Sequence, residues 1–386
     1  MAIDWSEWLN LALRWLHLVT GIAWIGSSFY FVWLDNHLKK PTAGEASGEL
    51  WSVHGGGFYH NQKYQVAPTA MPDELHWFKW EAYFTWISGF SLLVLIYYVG
   101  AQSFLVDPAK AALSPALGIG IGLASLALGW LVYDALCRSP VGSNNLALGL
   151  VWFVCLLFAA SLLDSLFNSR AAYLHVGAIV GSVMVANVFF IIIPNQKKVV
   201  ADLVAGRTPD PALGAAAKQR SLHNNYMTLP VLFIMISNHY PMTYGAQRPW
   251  LVLALLGLTG VAIRHVFNLR GRGRPTPAAI AVAAVLALAS VTYVTWEKSA
   301  LTPATGPAGT FAEIQPVLAT HCASCHNVPN PPRGVALDSY EHVRAASARI
   351  KAMAVDTQVM PLGNPTHMTP AERQRLGAWI AAGTPR

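Results

Sequence analysis

Charge is scarce in this chain. Lys and Arg number 26 and Asp and Glu 19 among 386 residues, 12% together, where a soluble domain carries roughly a quarter. With 54% hydrophobic residues and a mean hydropathy of +0.39, that scarcity excludes an ordinary soluble fold and makes a lipid bilayer the first partner. Cysteine is equally sparse, at four residues. Cys137 and Cys155 lie in or beside apolar segments and read as inert fillers, while Cys322 and Cys325 share one short motif, so no disulfide framework is implied. A basic block in a polar domain is also missing. The net charge of +7 therefore does not indicate nucleic-acid binding. With fourteen Trp it suits basic loops on one side of a membrane and aromatic belts at its interfaces.

The stretch that organises the rest is Cys322-Ala323-Ser324-Cys325-His326. Two cysteines two residues apart, followed at once by histidine, read as a c-type haem attachment site. The thiols form thioethers to the haem vinyl groups and the adjacent imidazole reaches the iron. A structural zinc half-site is the rival. It would need two further Cys or His ligands downstream, where only His342 and His367 stand. A second axial ligand should come from Met353, Met360 or Met368. Met360 is preferred because Pro361 follows it, in a segment, 359–364, that reads as neither helix nor strand. His326 and Met360 are thus the expected iron ligands, a pairing that raises the potential and suits electron transfer.

Eight apolar segments are long enough for a core of roughly 30 Å: near 10–34, 77–100, 113–136, 146–168, 171–194, 221–240, 247–269 and 276–297. The first is not read as a cleavable signal peptide, since it is long and has neither a basic leader nor a small-residue cleavage site. Pro230 should kink the sixth. Gly118 and Gly122, in GxxxG spacing on the third, mark close helix packing. The connection 35–76 is expected to hold a hairpin around Gly55-Gly56-Gly57, and 195–220 an interfacial helix and then a loop. The fold class is all-α: a polytopic membrane domain of about eight transmembrane helices (1–298), a Pro/Gly/Thr/Ala linker (299–309) and a small class I-like cytochrome c domain (310–386). In the last, helices should lead into the haem motif, run near 339–353, and start at Thr369-Pro370.

Because c-type haem is normally attached outside the cytoplasm, the C-terminus should lie there, and an even number of spans puts the N-terminus beside it. Charge agrees. The loops then facing the cytoplasm carry Lys39, Lys40, Lys63, Arg138, Lys197, Lys198, Arg207, Lys218, Arg220, Arg270, Arg272 and Arg274, against Lys110, Arg170, Arg248 and Lys298 opposite.

Ionisable groups within spans are functional hypotheses by default. Toward the external side, His17 and His175 sit at similar depth and could hold a b-type haem, with Arg14 for a propionate. Packing histidines are the alternative. Toward the cytoplasmic side His76, Lys79, Glu81, Asp134, His223, Asn224, Asn225, Arg264, His265 and Asn268, with His54 on the first loop, describe a rim of donors and cations suited to a planar polar anion. Snorkelling to headgroups is the plain alternative for Lys79 and Arg264.

Three runs carry a resemblance: Arg14-Trp15-Leu16-His17 on to Gly26, Val53-His54-Gly55-Gly56-Gly57-Phe58-Tyr59-His60, and His76-Trp77-Phe78-Lys79-Trp80-Glu81-Ala82-Tyr83-Phe84-Thr85-Trp86. They resemble the PuuD family of membrane urate oxidases (urate hydroxylases) with a C-terminal cytochrome c domain, over essentially the whole chain. The first span is also loosely similar to HemJ-type protoporphyrinogen oxidases, where a histidine there serves haem. The PuuD resemblance implies oxidation of urate to 5-hydroxyisourate in purine catabolism. Electrons would pass through haem c to a respiratory acceptor such as a terminal oxidase or soluble cytochrome. It also implies a bacterial inner membrane, with the N-terminus and haem domain periplasmic. Chemical sense then assigns Arg264 to anchoring the anion, His76 or His54 to proton transfer, and Glu81 to orienting a histidine or water. Lys79, His265 and His223 complete the expected pocket. Two other classes stay open: a membrane anchor presenting a cytochrome c module to a partner complex, and a quinol- or porphyrinogen-oxidising enzyme.

Overall fold

The computed structural model describes residues 5–386 apart from 65–67, 69–71, 109, 301–308, 329–330, 332–333, 363 and 365, and apart from the side chains of 297–300. Helices occupy all eight expected positions. They are α1 (Trp5–His37), α2 (Trp80–Leu93, continuing as a π-helix over Val94–Tyr98), α3 (Pro115–Arg138), α4 (Asn145–Leu166), α5 (Ser169–Ala186, running on through a π-helix at Asn187–Ile192 to Val204), α6 (Pro211–Ser237), α7 (Pro249–Gly271) and α8 (Pro277–Ala300). Six of these are long and apolar enough to cross a membrane, all but α2 and α6. α6 falls short because its first half carries Lys218, Gln219, Arg220, His223, Asn224 and Asn225. Apart from exposed Lys218, these side chains find their partners on other segments of the bundle, such as Arg220 with Asp134, His223 with Tyr133 and Asn224 with Asn187. The helix continues through Pro230, against which Gly260 of α7 packs closely.

Side-chain and backbone contacts sort the connections into two ends. At one end Asn168 N–H donates to Leu105 O at 2.9 Å, and Tyr173 donates to Pro249 O at 2.6 Å. These bonds join the segments that follow α2, α4 and α6. At the other end Lys63 pairs with Asp35 at 2.7 Å, Gln219 donates to Gly142 O at 2.6 Å, and Gly271 lies against Asn36. Successive helices therefore alternate in direction, which leaves both ends of the bundle's chain at the first end.

The first loop forms the expected hairpin. β1 (Gly48–His54) pairs antiparallel with β2 (Gly57–Lys63), with Trp51 opposite His60. The two-residue turn needs positive φ at both centres, and Gly55 and Gly56 supply +59° and +79°. Between α5 and α6 the chain is more helical than expected: helix runs to Val204, and Asp210 caps α6 by accepting from Ala212 N–H at 2.8 Å.

After the linker, of which 301–308 lie outside the described residues, come α9 (Phe311–His321), α10 (Tyr340–Ala345), α11 (Ser347–Ile350, continuing as a π-helix to Asp356) and α12 (Pro370–Ala381). α12 opens with a capping box in which Thr369 and Glu372 satisfy each other's backbone N–H groups. These helices enclose their own apolar cluster around Ile314, Leu318, Val343, Leu376 and Trp379. One segment faces outward: Val359 is buried in the membrane bundle's cluster, with Met353 and Leu362 packed on it. Gly245, in the connection after α6, touches Thr357 so closely that a Cβ would fall 2.6 Å from it.

Candidate functional site

In the C-terminal region, backbone bonds continue the α9 spiral into the motif. Cys322 N–H donates to Leu318 O and His326 N–H to Cys322 O, each at 2.9 Å. His326 is part-buried, and its Nδ1 donates to Val335 O at 2.9 Å. That bond places the ring proton on Nδ1 and leaves Nε2 with a lone pair, the arrangement a metal-ligating histidine needs. Cys322 and Met360 both border the apolar cluster. Burial pushes the Cys322 thiol up to about 11. Met360 is held from both sides of its backbone, its N–H donating to Met353 O at 2.9 Å and its carbonyl accepting from buried Arg373 at 2.6 Å. Met353 itself faces the membrane bundle, and Met368 is buried in the cluster. Among the described residues no three His, Cys, Asp or Glu side chains converge as a metal site. The zinc alternative thus lacks a ligand set. A c-type haem asks for something different, two sulfurs at the macrocycle edge and one imidazole at its centre, and the residues present fit it.

Two polar networks of the membrane half meet at α6. In the first, Asp134 accepts from Arg138 and from Arg220, both at 2.6 Å, and Arg220 also donates to Asn187. Asn187 donates to Asn224 at 2.8 Å, and the Tyr133 hydroxyl meets His223 Nδ1 at 2.7 Å. His223 Nε2 reaches Asn145 at 3.1 Å. Every member has partners within the network, so His223 serves there as a structural link. Asn187 escaped the sequence reading, although a lone amide in the apolar run 183–193 was its signal. It opens the π-helical turn of α5, a distortion that widens the helix where the network inserts.

The second network is smaller and incomplete. Arg264 Nε donates to Asn225 Oδ1 at 3.0 Å, and Asn268 Nδ2 donates to the same oxygen at 2.9 Å. The guanidinium lies 3.9 Å over the Phe29 ring of α1. Arg264, Asn225 and Asn268 are only 7%, 1% and 4% exposed. Among the described residues, buried Asn225 Nδ2 and Asn268 Oδ1 have no hydrogen-bond partner, and neither do the two terminal nitrogens of Arg264. Arg264 does not snorkel. It is held inside the bundle by an aromatic face and an amide, with its anion-binding edge unspent.

The remaining expected pocket residues do not join it. His76 is exposed and meets Phe78 edge-on at 4.6 Å, and Phe78 in turn meets Phe31. Phe31 and Phe29 are two residues apart on α1, hence about 200° around the helix, so His76 and Arg264 stand on different sides of α1. Lys79 lies over the Trp80 ring at 5.3 Å, and Glu81 is half-buried at the start of α2. His54 is exposed at the hairpin tip. His265 is also exposed, with Nδ1 on the Tyr226 hydroxyl at 2.8 Å. The sequence pattern gave depth along each helix but not facing, and facing separates this set.

His17 and His175 likewise occupy separate contacts. His17 Nδ1 reaches Thr85 O at 2.9 Å, with its ring pressed on Gly89. His175 is 0% exposed, its Nδ1 on Ala171 O at 2.8 Å and its Nε2 on the Tyr98 hydroxyl at 3.2 Å. A Cβ on Gly122 would fall 2.8 Å from that Nε2. Both ring nitrogens are spoken for and helix α3 closes over them, so His175 does not fit as an axial ligand of a b-type haem. Gly122 is thereby explained: its hydrogen is what admits the imidazole.

A cavity of about 460 Å³ lies between the bundle and the C-terminal region, lined by residues such as Lys110, Asp164, Asn168, Tyr244, Pro361 and Arg373. Its charges are largely consumed. Lys110 pairs with Asp164 at 2.7 Å, Lys351 holds Asp356 at 2.7 Å, and Arg373 binds backbone carbonyls of Ala354 and Met360. Among the described residues, each of these cations is engaged by a carboxylate or a backbone carbonyl at this seam.

No curated protein and no solved structure matches this chain. The family description Urate oxidase N-terminal matches residues 4–295, which is the whole helical bundle with its buried Arg264. The chain belongs to the Urate oxidase N-terminal family, and with it to the membrane-type oxidoreductases that the PuuD-like runs indicated.

Proposed function

We propose that this protein oxidises urate to 5-hydroxyisourate inside the helical bundle and delivers the electrons to a c-type haem on the C-terminal domain, residues 310–386, for a respiratory acceptor. The observation that carries the reading is the buried Arg264, stacked on Phe29 with its terminal nitrogens unpartnered among the described residues. Urate is a flat monoanion. An aromatic-backed guanidinium binds such an ion in its own plane through paired N–H donors. Burial strengthens that attraction, because little water is present to screen it. The balanced reaction is urate monoanion plus water to 5-hydroxyisourate, one proton and two electrons, with the new C–O bond at C5. Arg264 fixes the ring and withdraws charge from it, which exposes C5 to water. His76 takes no part in that anchoring, since it stands on another side of α1.

Cys322 and Cys325 would carry the haem, with His326 and Met360 as its axial ligands. Such a haem supplies one-electron acceptance at a raised potential. The docking of Val359 and Thr357 on the bundle supports an internal electron route, and the fused domain makes encounter unnecessary. The excess of basic loop residues at the Arg264 end supports a cytoplasmic position for that end, with the N-terminus and the haem domain outside, in a bacterial inner membrane.

Anaerobic addition of urate to the purified full-length protein tests the reading. The c-type haem should reduce, with 5-hydroxyisourate formed at one molecule per two electrons. Protein carrying Cys322→Ala and Cys325→Ala should hold no covalent haem and pass no electrons from urate. A haem that stays oxidised with urate bound at saturation would overturn the proposal.

A further inference from the structure

We infer that Asn225 and Asn268 are specificity-determining residues that read adjacent C=O and N–H groups of a cyclic lactam or ureide anion held at Arg264. This rests on the functional reading above and deepens it. The orientation of both amides follows from chemistry. Arg264 Nε can only donate, so Asn225 must turn its Oδ1 toward it, and its Nδ2 must point elsewhere. Asn268 faces that same oxygen and must offer its Nδ2, which turns its Oδ1 away. The result is one orphan donor and one orphan acceptor, each a single amide width from the shared oxygen and each fully buried.

Such groups are rare because burying them unpaired is costly. In Arg264, Asn225 and Asn268 the bundle keeps three unsatisfied groups together: a cation with two free nitrogens, an N–H donor, and a carbonyl acceptor. A carboxylate or phosphate offers acceptors only and leaves Asn268 Oδ1 unsatisfied. A neutral amide lacks the charge Arg264 asks for. A purinedione or purinetrione anion answers all three, since its ring edge alternates C=O with N–H and its charge is delocalised in the same plane. A site built this way rejects analogues that lack one hydrogen-bonding group more strongly than an apolar pocket rejects a methyl.

The test is a chemical double-mutant cycle on the full-length protein in lipid nanodiscs. Binding of urate and of its 1-, 3-, 7- and 9-methyl derivatives is measured calorimetrically, for wild type and for Asn268→Leu. At least one methyl group should weaken binding to wild type roughly tenfold or more, and that penalty should vanish in the variant. Covalent haem content and the thermal midpoint report whether the variant is folded, and the wild-type methyl series stands even if it is not. Equal binding of all four derivatives to wild type would overturn the inference, as would the same penalty in folded Asn268→Leu or a cluster satisfied by water alone with no urate-dependent heat. The functional reading fails separately. If wild type binds xanthine anion through Asn268 yet neither binds nor oxidises urate, the lactam site stands and the urate assignment falls.

Discussion

At the scale of single residues, two cations in similar burial have opposite fates. Arg220 is spent on Asp134 and Asn187, whereas among the described residues Arg264 meets Asn225 and a phenyl face. Arg264→Ala should therefore raise KM for urate by roughly 10–100-fold, the equivalent of about 1.5–3 kcal/mol for a charge-assisted anchor. The covalent haem content should not change, and steady-state kinetics with haem quantitation checks both. Glu372 supplies a pH prediction. The Thr369 backbone N–H, then its hydroxyl, then His321, hold the Glu372 carboxyl down from 4.5 to about 2. A depressed folded value contributes stability that is present above about 4.5 and lost as pH falls toward about 2. The C-terminal domain should accordingly loosen across that window, and Glu372→Gln should flatten the dependence in a haem-band acid titration.

Elements explain why particular small residues stand where they do. α3 closes over α5 only because Gly122 leaves room for the His175 ring and the Tyr98 hydroxyl. Gly122→Ala should destabilise the bundle by about 1–3 kcal/mol, the usual cost of overpacking, seen as a lower thermal midpoint with the C-terminal domain's own transition unmoved. The GxxxG spacing announced that close approach. What it approached was out of view, because a periodicity names a face and never its neighbour. The same limit governs α6. Asn224 and Asn225 are consecutive, yet one joins the Arg220 network and the other the Arg264 cluster. Adjacent residues point about 100° apart on a helix, so one helix feeds two sites.

On the scale of the whole molecule, the two halves meet at a seam in which Val359 enters the bundle's apolar cluster and Gly245 touches Thr357. Arg264 lies fifteen residues beyond Pro249 on α7, about 22 Å along the helix from that seam. A purine held there does not touch the C-terminal domain, which makes binding and electron acceptance separable by mutation. Alternation of the eight helices puts both ends of the bundle's chain on the seam side. A periplasm-active reporter such as alkaline phosphatase fused after Arg386 should then be active in cells, and the same reporter placed in the 205–210 turn should be silent. A silent C-terminal fusion would invert the orientation.

The eight apolar segments, the hairpin turn at Gly55-Gly56 and the N-cap at Thr369 were all legible in the sequence. Each is a local pattern in which a residue's chemistry or φ preference acts on near neighbours. The tautomer of His326, the closure of α3 over His175, the separation of His76 from Arg264 and the orphan amides beside that guanidinium were decided only by tertiary structure. Each depends on which faces of distant helices meet, and in a bundle with so few charges that facing sets which polar groups are satisfied and which are left for a ligand.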